Sequence, residues 1–376
     1  MAESGKGKGL EGVVAAQTKI SDIDGQRGKL LYAGYDIADL AAHSGFEETV
    51  YLLHHLELPT RAQLDQVSGA LREAATLDSL LVQLLEAVAN QTGPMTALRT
   101  AVSAAGVHDP DHGDESPEAN LRKAYRLIAQ TPLVVAAYQR LRSGGAAVAP
   151  RGDLSLAGNF LFALGGKDPD PALAGEFDTC LVLYADHTMN ASTFAGRVAA
   201  ATLADMYAAA TAAVATLQGP LHGGAIEQVR YMLDEIGTPD RASQWVKERL
   251  GSKKKVMGFG HRVYKTWDPR AVILREMAER IGKQLGDTRW YEISARIQET
   301  VMEERGLFPN VDFYTASVYS ALGIPPDLYT CLFAVARMAG WTAHIREQYA
   351  DNRLIRPDSE YTGPPPRPYQ PVEARG

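Results

Sequence analysis

Helical signals dominate the pattern of apolar and polar positions in this chain. Thr60 and Gln63 form a capping-box pair just after Pro59, and Leu64, Val67 and Leu71 follow at helical spacing. Leu80, Leu81, Leu84 and Leu85 repeat that spacing. Ser116-Pro117 and Thr238-Pro239 each place a capping residue before a first-turn proline, and Gly251 stands where the second of these helices should close. The apolar run beyond Pro326 predicts a last long helix from about Asp327 to Glu347. Strand signals are confined to short stretches near the N-terminus, such as Lys29–Tyr32. The expected fold class is therefore all-α, with a few short N-terminal strands. Gly106–Ser116 and Gly144–Gly152 are polar without periodicity and read as surface loops. Tyr361–Gly376 carries five prolines, which excludes an ordinary helix. It is either a disordered tail or an extended arm lying on a partner subunit.

The segment from Ala199 to Leu217 is rich in Ala, Val, Thr and Leu and invites comparison with a membrane span. Asp205 in its middle and Arg197 just before it argue against that, and its small residues suit close helix packing, so one buried helix is expected here. A chain of 376 residues, 45% hydrophobic and 22% charged, can bury a substantial core in two domains or one large one. The net charge of −7 gives no reason to expect a nucleic-acid surface. The first ten residues lack the apolar core of a secretory signal, and Cys180 and Cys331 each sit in an apolar stretch, as buried thiols do. Together these point to a cytoplasmic protein.

Chemistry concentrates in Gly258–Arg270. Glycines on both sides of Phe259 allow backbone to approach a ligand closely, and His261 places a titratable imidazole at that edge. Asp268 and Pro269 read as N-cap and first helical residue, which puts Arg270 in a first turn. Of the nine histidines, His43, His54, His55, His108 and His112 lie in amphipathic or loop contexts, and His344 on the last helix reads as a satisfied core residue. His187, within Ala185–Thr193, and His222, within Gly219–Ala225, are surrounded by Gly, Asn or Asp, as His261 is. Metal ligation by these three is disfavoured, because no HxxH, HExxH or CxxC spacing occurs and Arg270, Arg337 and Arg356 would repel a cation. Asp312, in Asn310–Tyr314, reads either as a helix N-terminal charge or as a desolvated base. Arg337 on an apolar helix requires a buried acid or an anionic ligand. Converging guanidinium forks suit a di- or tricarboxylate.

In order along the chain, these pieces resemble the citrate synthase family. The likeness runs from Gly12-Val13-Val14 and Ile23-Asp24-Gly25 through Phe46–Pro59 to Arg353–Pro357 and Tyr361-Thr362-Gly363. Gly258–Arg270 carries it most specifically, and Gly219–Ala225 and Asn310–Tyr314 support it independently. The resemblance implies a mostly helical homodimeric acyltransferase, with a large domain (residues 1–222 and 325–376) around a small domain at residues 223–324. It implies a catalytic trio of His222, His261 and Asp312, and an oxaloacetate site made by His187, Asn190, Arg270, Phe333 and Arg337, with Arg356 supplied by the other subunit. Coenzyme A would meet the backbone of Val256–Gly260, including Val256, Gly258 and Gly260, and then Lys265 and Arg262. The Lys253–Lys255 run is either a further phosphate contact or a solvated charge cluster. The implied reaction joins acetyl-CoA to oxaloacetate and hydrolyses citryl-CoA, using coenzyme A as part of the substrate and no separate cofactor or metal. Propionyl-CoA turnover to 2-methylcitrate is the alternative in the same class, and a non-catalytic ligand-binding relative is the alternative outside it. Thr188 and Met189 vary among members. Arg346 stands where an apolar residue is common and has no assigned role. No basic helical extension of the kind found in the family's NADH-inhibited hexameric branch is evident.

Overall fold

The computed structural model describes residues 8–10 and 12–375. The first seven residues, on which the leader reading partly rests, lie outside that range. Among the described residues there are sixteen α-helices and one small antiparallel sheet of order β1 (Ser21–Asp24), β2 (Lys29–Tyr32) and β3 (Tyr35–Asp36). Ser21 pairs with Tyr32 and Asp24 with Lys29, so β1 and β2 close on the turn that carries Gly25 and Gly28. No helix among the described residues is long and apolar enough to cross a membrane.

The last helix, Tyr329–Ala350, is the organising element. Most of its residues are buried on every side, as expected of a helix at the centre of a large core rather than on its surface. It packs against the Pro117–Arg142, Pro171–Tyr184, Ala191–Ala201 and Met206–Leu217 helices. Gly340 permits the tightest of these contacts, since a methyl group there would strike the carbonyl of Ala185 at 2.4 Å. The Ala225–Ile236, Pro239–Gly251, Pro269–Leu285, Arg289–Arg305 and Val311–Ala321 helices pack largely on one another.

Several local expectations hold. The Thr60–Gln63 capping box opens the Arg61–Ala74 helix, Ser116 caps the Pro117–Arg142 helix, and both cysteines are buried and free. Others need correction. The stretch expected as one helix from Ala199 to Leu217 is two, Ala191–Ala201 and Met206–Leu217. Asp205 caps the second through the Tyr207 and Ala208 N–H groups. A short carboxylate is worth more to the chain as an N-cap than inside a helix, where it competes with the backbone. Thr238 makes no side-chain cap, and the Pro239–Gly251 helix ends in a turn at Lys253 (φ 57°) with Gly251 still helical. The last helix begins later than predicted, after a 3-10 turn at Pro326–Leu328. Within the predicted surface loop Gly106–Ser116, Asp109 is buried, paired with Arg126. Tyr361 and the described residues after it lie exposed, without regular structure apart from a 3-10 turn at Val372–Ala374.

Candidate active site

His261 projects from the loop between Gly258 and Asp268. Its Nδ1 accepts the backbone N–H groups of Val263 (3.0 Å) and Tyr264 (3.1 Å), so the proton of the neutral ring resides on Nε2. Burial, reinforced by Arg270, lowers its pKa to about 4, which keeps it neutral at physiological pH. The loop itself rests on the β1–β2 turn. Lys265 N–H donates to Gly25 O (2.9 Å), and side chains at Gly25 or Gly28 would collide with the carbonyls of Val263 or Trp267. The N-terminal hairpin is thus a support for the histidine loop, a role its sequence does not announce.

The glycines of this loop serve packing as well as approach. Gly258 has φ 81°, and a methyl group there would lie 2.8 Å from Phe313. Gly260 N–H donates to Phe308 O, while the Gly258 and Gly260 carbonyls accept from Asn310. Those groups of the predicted backbone cradle are therefore already committed to the Phe308–Asn310 strand-like segment. Val256 is buried, whereas Arg262 and Lys265 are exposed, with Lys265 Nζ donating to Arg262 O at 3.3 Å.

His187 follows the Pro171–Tyr184 helix in a loop where Thr188 takes φ 50°. Its Nε2 lies 3.3 Å from the Tyr264 hydroxyl, and its ring meets that of His261 edge to face at 5.5 Å. Burial, with Arg270 and Arg337 nearby, holds its pKa well below the usual value. Asn190 ends the loop as N-cap of the next helix. Its Oδ1 accepts from Ser192 and Thr193 N–H, and its amide donates to the His187 and Thr188 carbonyls. These contacts make it the clamp that shapes the His187 loop.

His222 sits where the chain turns back after the Met206–Leu217 helix, a turn closed by His222 N–H to Gly219 O and Gly223 N–H to Leu217 O. Its pKa falls to about 4 through burial first and Arg337 second. The Ser192 hydroxyl lies 2.8 Å from His222 Nε2 and 2.7 Å from Asn190 Oδ1, and receives the Trp341 indole N–H at 3.2 Å. The hydroxyl has one proton for two neighbours: given to Nε2 it places the imidazole proton on Nδ1, and given to Asn190 Oδ1 it leaves Nε2 as the donor. Asn190 Oδ1 keeps two backbone donors in either case. Sequence reading missed both Ser192 and Trp341, because nothing about their spacing separates them from ordinary helix residues.

Two arginines charge the site. Arg270 is buried and chelated by Asp268, with Nε–Oδ1 3.0 Å and Nη2–Oδ2 2.8 Å, as the capping geometry allows. Arg337 is buried as well, yet no carboxylate pairs with it among the described residues. Its Nε donates to Tyr184 O (2.8 Å) and its guanidinium lies 4.7 Å from the Phe333 ring centroid. Phe333 in turn meets Tyr184 and His222 edge to face. Asp186 acts on this guanidinium electrostatically without hydrogen-bonding to it, so the Nη groups can still receive an anion.

Asp312 lies in the first turn of the Val311–Ala321 helix, capped by Asn310, with its carboxylate 3.2 Å from the Tyr184 hydroxyl. Burial pushes its pKa up to about 6, despite Arg270 and the Tyr184 hydrogen bond pulling the other way. His187, His222, His261, Asp312, Arg270, Phe333 and Arg337 are thus linked through shared neighbours in one cluster. Arg356 does not join it. Exposed on the C-terminal segment, it pairs with Asp358 at 3.1 Å. Among the described residues no three ligating side chains gather as a metal site would need. A cavity of about 1080 Å³ lies elsewhere, lined by Gln17, His54, Arg197, Arg346 and Leu354 among others, and contains none of the cluster. Arg346 donates there to His54 Nδ1 (3.0 Å) and His54 O (3.3 Å). Volume alone does not make that cavity the reactive centre, since it has no comparable set of perturbed acid–base groups.

Comparison with known proteins agrees with the geometry. The family model described as citrate synthase, C-terminal domain, matches residues 9–358. Citrate synthase 2 of Bacillus subtilis is 49% identical over 98% of this chain and 99% of its own length. A citrate/2-methylcitrate synthase of the same organism is 42% identical over 95% and 96%. The structure of Thermoplasma acidophilum citrate synthase in ternary complex with carboxymethyl coenzyme A and oxaloacetate superposes with a TM-score of 0.91 at 33% identity, covering 98% of this chain and 99% of that one. With full-length likeness in sequence and fold, and a buried histidine–aspartate–arginine cluster, the chain belongs to the citrate synthase family of acyltransferases.

Proposed function

We propose that the cluster condenses acetyl-CoA with oxaloacetate and hydrolyses the resulting thioester to citrate and coenzyme A. The observation that carries this reading is the gathering in one cluster of an aspartate raised to about 6, two imidazoles lowered to about 4, and a buried Arg337 whose Nη groups hydrogen-bond no carboxylate among the described residues. Oxaloacetate would take the free edge of Arg270 and the Nη groups of Arg337, with His187 beside them. Asp312, ionised above about pH 6, would remove a proton from the acetyl methyl group. His222 would donate from Nδ1 to the thioester oxygen and stabilise the enolate, with Ser192 donating to Nε2. His261, a neutral Nε2–H donor, would polarise the ketone and protonate the oxygen as the carbon–carbon bond forms. Water then cleaves citryl-CoA. Coenzyme A would lie along Val256, Gly258 and Gly260 with Arg262 and Lys265 near its phosphates, and no metal or further cofactor takes part.

The same reading makes the enzyme a cytoplasmic homodimer. Arg356 lies exposed and outside the cluster of its own chain, on a segment that buries none of Leu354, Tyr361, Tyr369 or Val372. Such a segment suits an arm that delivers Arg356 to a partner's site, completing the binding of the dianion there. The helices of residues 223–324 would act as the small domain, closing over oxaloacetate before Asp312 meets the thioester and so limiting wasteful hydrolysis.

Thiol release from acetyl-CoA, dependent on oxaloacetate, tests the reaction directly. Running propionyl-CoA in parallel tests the acyl group, since one methylene is worth only about 1–3 kcal/mol in an apolar pocket. A higher kcat/KM for propionyl-CoA would transfer the assignment to 2-methylcitrate formation. No thiol release from either thioester would overturn it.

A further inference from the structure

Tyr184 is buried at the end of the Pro171–Tyr184 helix and carries the hydrogen bond to Asp312 from a distant part of the chain. Its hydroxyl lies 3.2 Å from Asp312 Oδ1 and 3.0 Å from Thr315 Oγ1. Thr315 donates its own proton to Val311 O (2.7 Å), which leaves its oxygen able only to accept. An ionised carboxylate likewise only accepts. One phenolic proton therefore faces two acceptors, and the charged one holds it more strongly. Burial raises the tyrosine pKa well above 10, so the proton stays on the phenol throughout. The other charged groups acting on Asp312 are Arg270 and Asp268 at the start of the Pro269–Leu285 helix and Arg337 on the last helix. None of them forms an ion pair with it among the described residues.

We propose that Tyr184 is a positioning residue for the base: it donates to Asp312 Oδ1 while the carboxylate is ionised, aiming Oδ2 at the substrate, and swings to Thr315 once Asp312 has taken the proton. No bond at the tyrosine is made or broken. The only proton transferred is the one that moves from the acetyl methyl group to Asp312, and the phenolic hydrogen bond exchanges acceptors in response. The inference rests on Asp312 being the base. Arg270 first, and this hydrogen bond second, keep burial from pushing the carboxyl beyond the range in which a base remains usable at neutral pH.

The test pairs two conservative variants, with Asp312→Asn alongside to check the base itself. Tyr184→Phe keeps the ring that packs edge to face on Phe333 at 4.8 Å. Losing a donor to the charged form raises the carboxyl pKa, so the acid limb of the kcat profile should move up by about one pH unit. Below that limb kcat should fall about tenfold, while KM for oxaloacetate changes less than about twofold. Thr315→Val removes the competing acceptor and pins the proton on Asp312, so its acid limb should move down. An unshifted limb in Tyr184→Phe, or shifts of the same sign in both variants, overturns the proposal, and Thr315→Val alone decides the sign if Tyr184→Phe does not fold. Activity surviving in Asp312→Asn would instead remove the base, and with it the reading on which the inference stands.

Discussion

Asp186, fully buried, and Asp312, half-buried, are two aspartates whose pKa values are driven in opposite directions. Burial opposes ionisation at both. At Asp186 it is overruled. His344 Nε2 donates to Oδ2 at 3.4 Å, Thr188 N–H donates to the same oxygen at 3.0 Å, and the Ser21 hydroxyl adds a third donor. Arg197 donates to His344 Nδ1 at 3.1 Å, which fixes the imidazole proton on the side of Asp186. The carboxyl consequently stays below the usual aspartate range. At Asp312 a single hydroxyl at 3.2 Å is the only side-chain donor among the described residues, and the pKa rises to about 6. Burial is a property of the fold, whereas the charges and donors set against a carboxyl decide on which side of its ordinary value it titrates.

Removing each charge should make that contrast plain. Asp312→Asn is expected to lower condensation by about 10²–10⁴-fold while leaving oxaloacetate affinity largely intact, as read by thiol release and calorimetric titration. The same variant should be no less stable than the parent above pH 7, where the buried charge is a burden. Asp186→Ala should do the reverse to the fold, costing about 3–5 kcal/mol in urea denaturation because His344 and Thr188 lose their acceptor. Equal stability losses in the two variants would refute the comparison. Arg337→Ala should weaken oxaloacetate by about 30-fold or more with a smaller change in kcat, in steady-state kinetics.

The mildest probe is pH alone. Asp312 has a folded pKa above its ordinary 3.8, so its contribution to stability is full below that value and is lost as pH rises through about 6. Asp186 has a folded pKa below 3.8, so its contribution is present above 3.8 and disappears as pH falls through the lower folded value. In activity, kcat/KM for acetyl-CoA should climb with pH to a plateau above about 6. His222 and His261, at about 4, contribute no inflection there. A second limb between pH 6 and 7 would mean that one imidazole is charged in the working enzyme.

Local chemistry made much of this legible. Asp268-Pro269 encodes a helix start, and capping is settled within a few residues, so the position of Arg270 could be read before any fold was known. Thr60–Gln63 and Ser116-Pro117 were readable for the same reason. Reading failed where one local rule competed with another. The alanine-rich periodicity from Ala199 to Leu217 hid the cap at Asp205, and Thr238 looked like a cap but makes none. The glycines at 258 and 260 were read as room for a ligand, and part of that backbone is held by Phe308 and Asn310 instead.

By itself the sequence determined the helical architecture, the histidines and arginines that stand outside ordinary core or surface contexts, and the family those motifs share. These follow from spacing and capping, interactions that reach across a few residues. Only the tertiary structure decided which aspartate titrates high and which low, which nitrogen of His261 bears its proton, and that Tyr184 and Ser192 attend Asp312 and His222. Protonation and orientation depend on donors that arrive from more than a hundred positions away, as Tyr184 does for Asp312, and no local pattern records which side chains folding will set against one another.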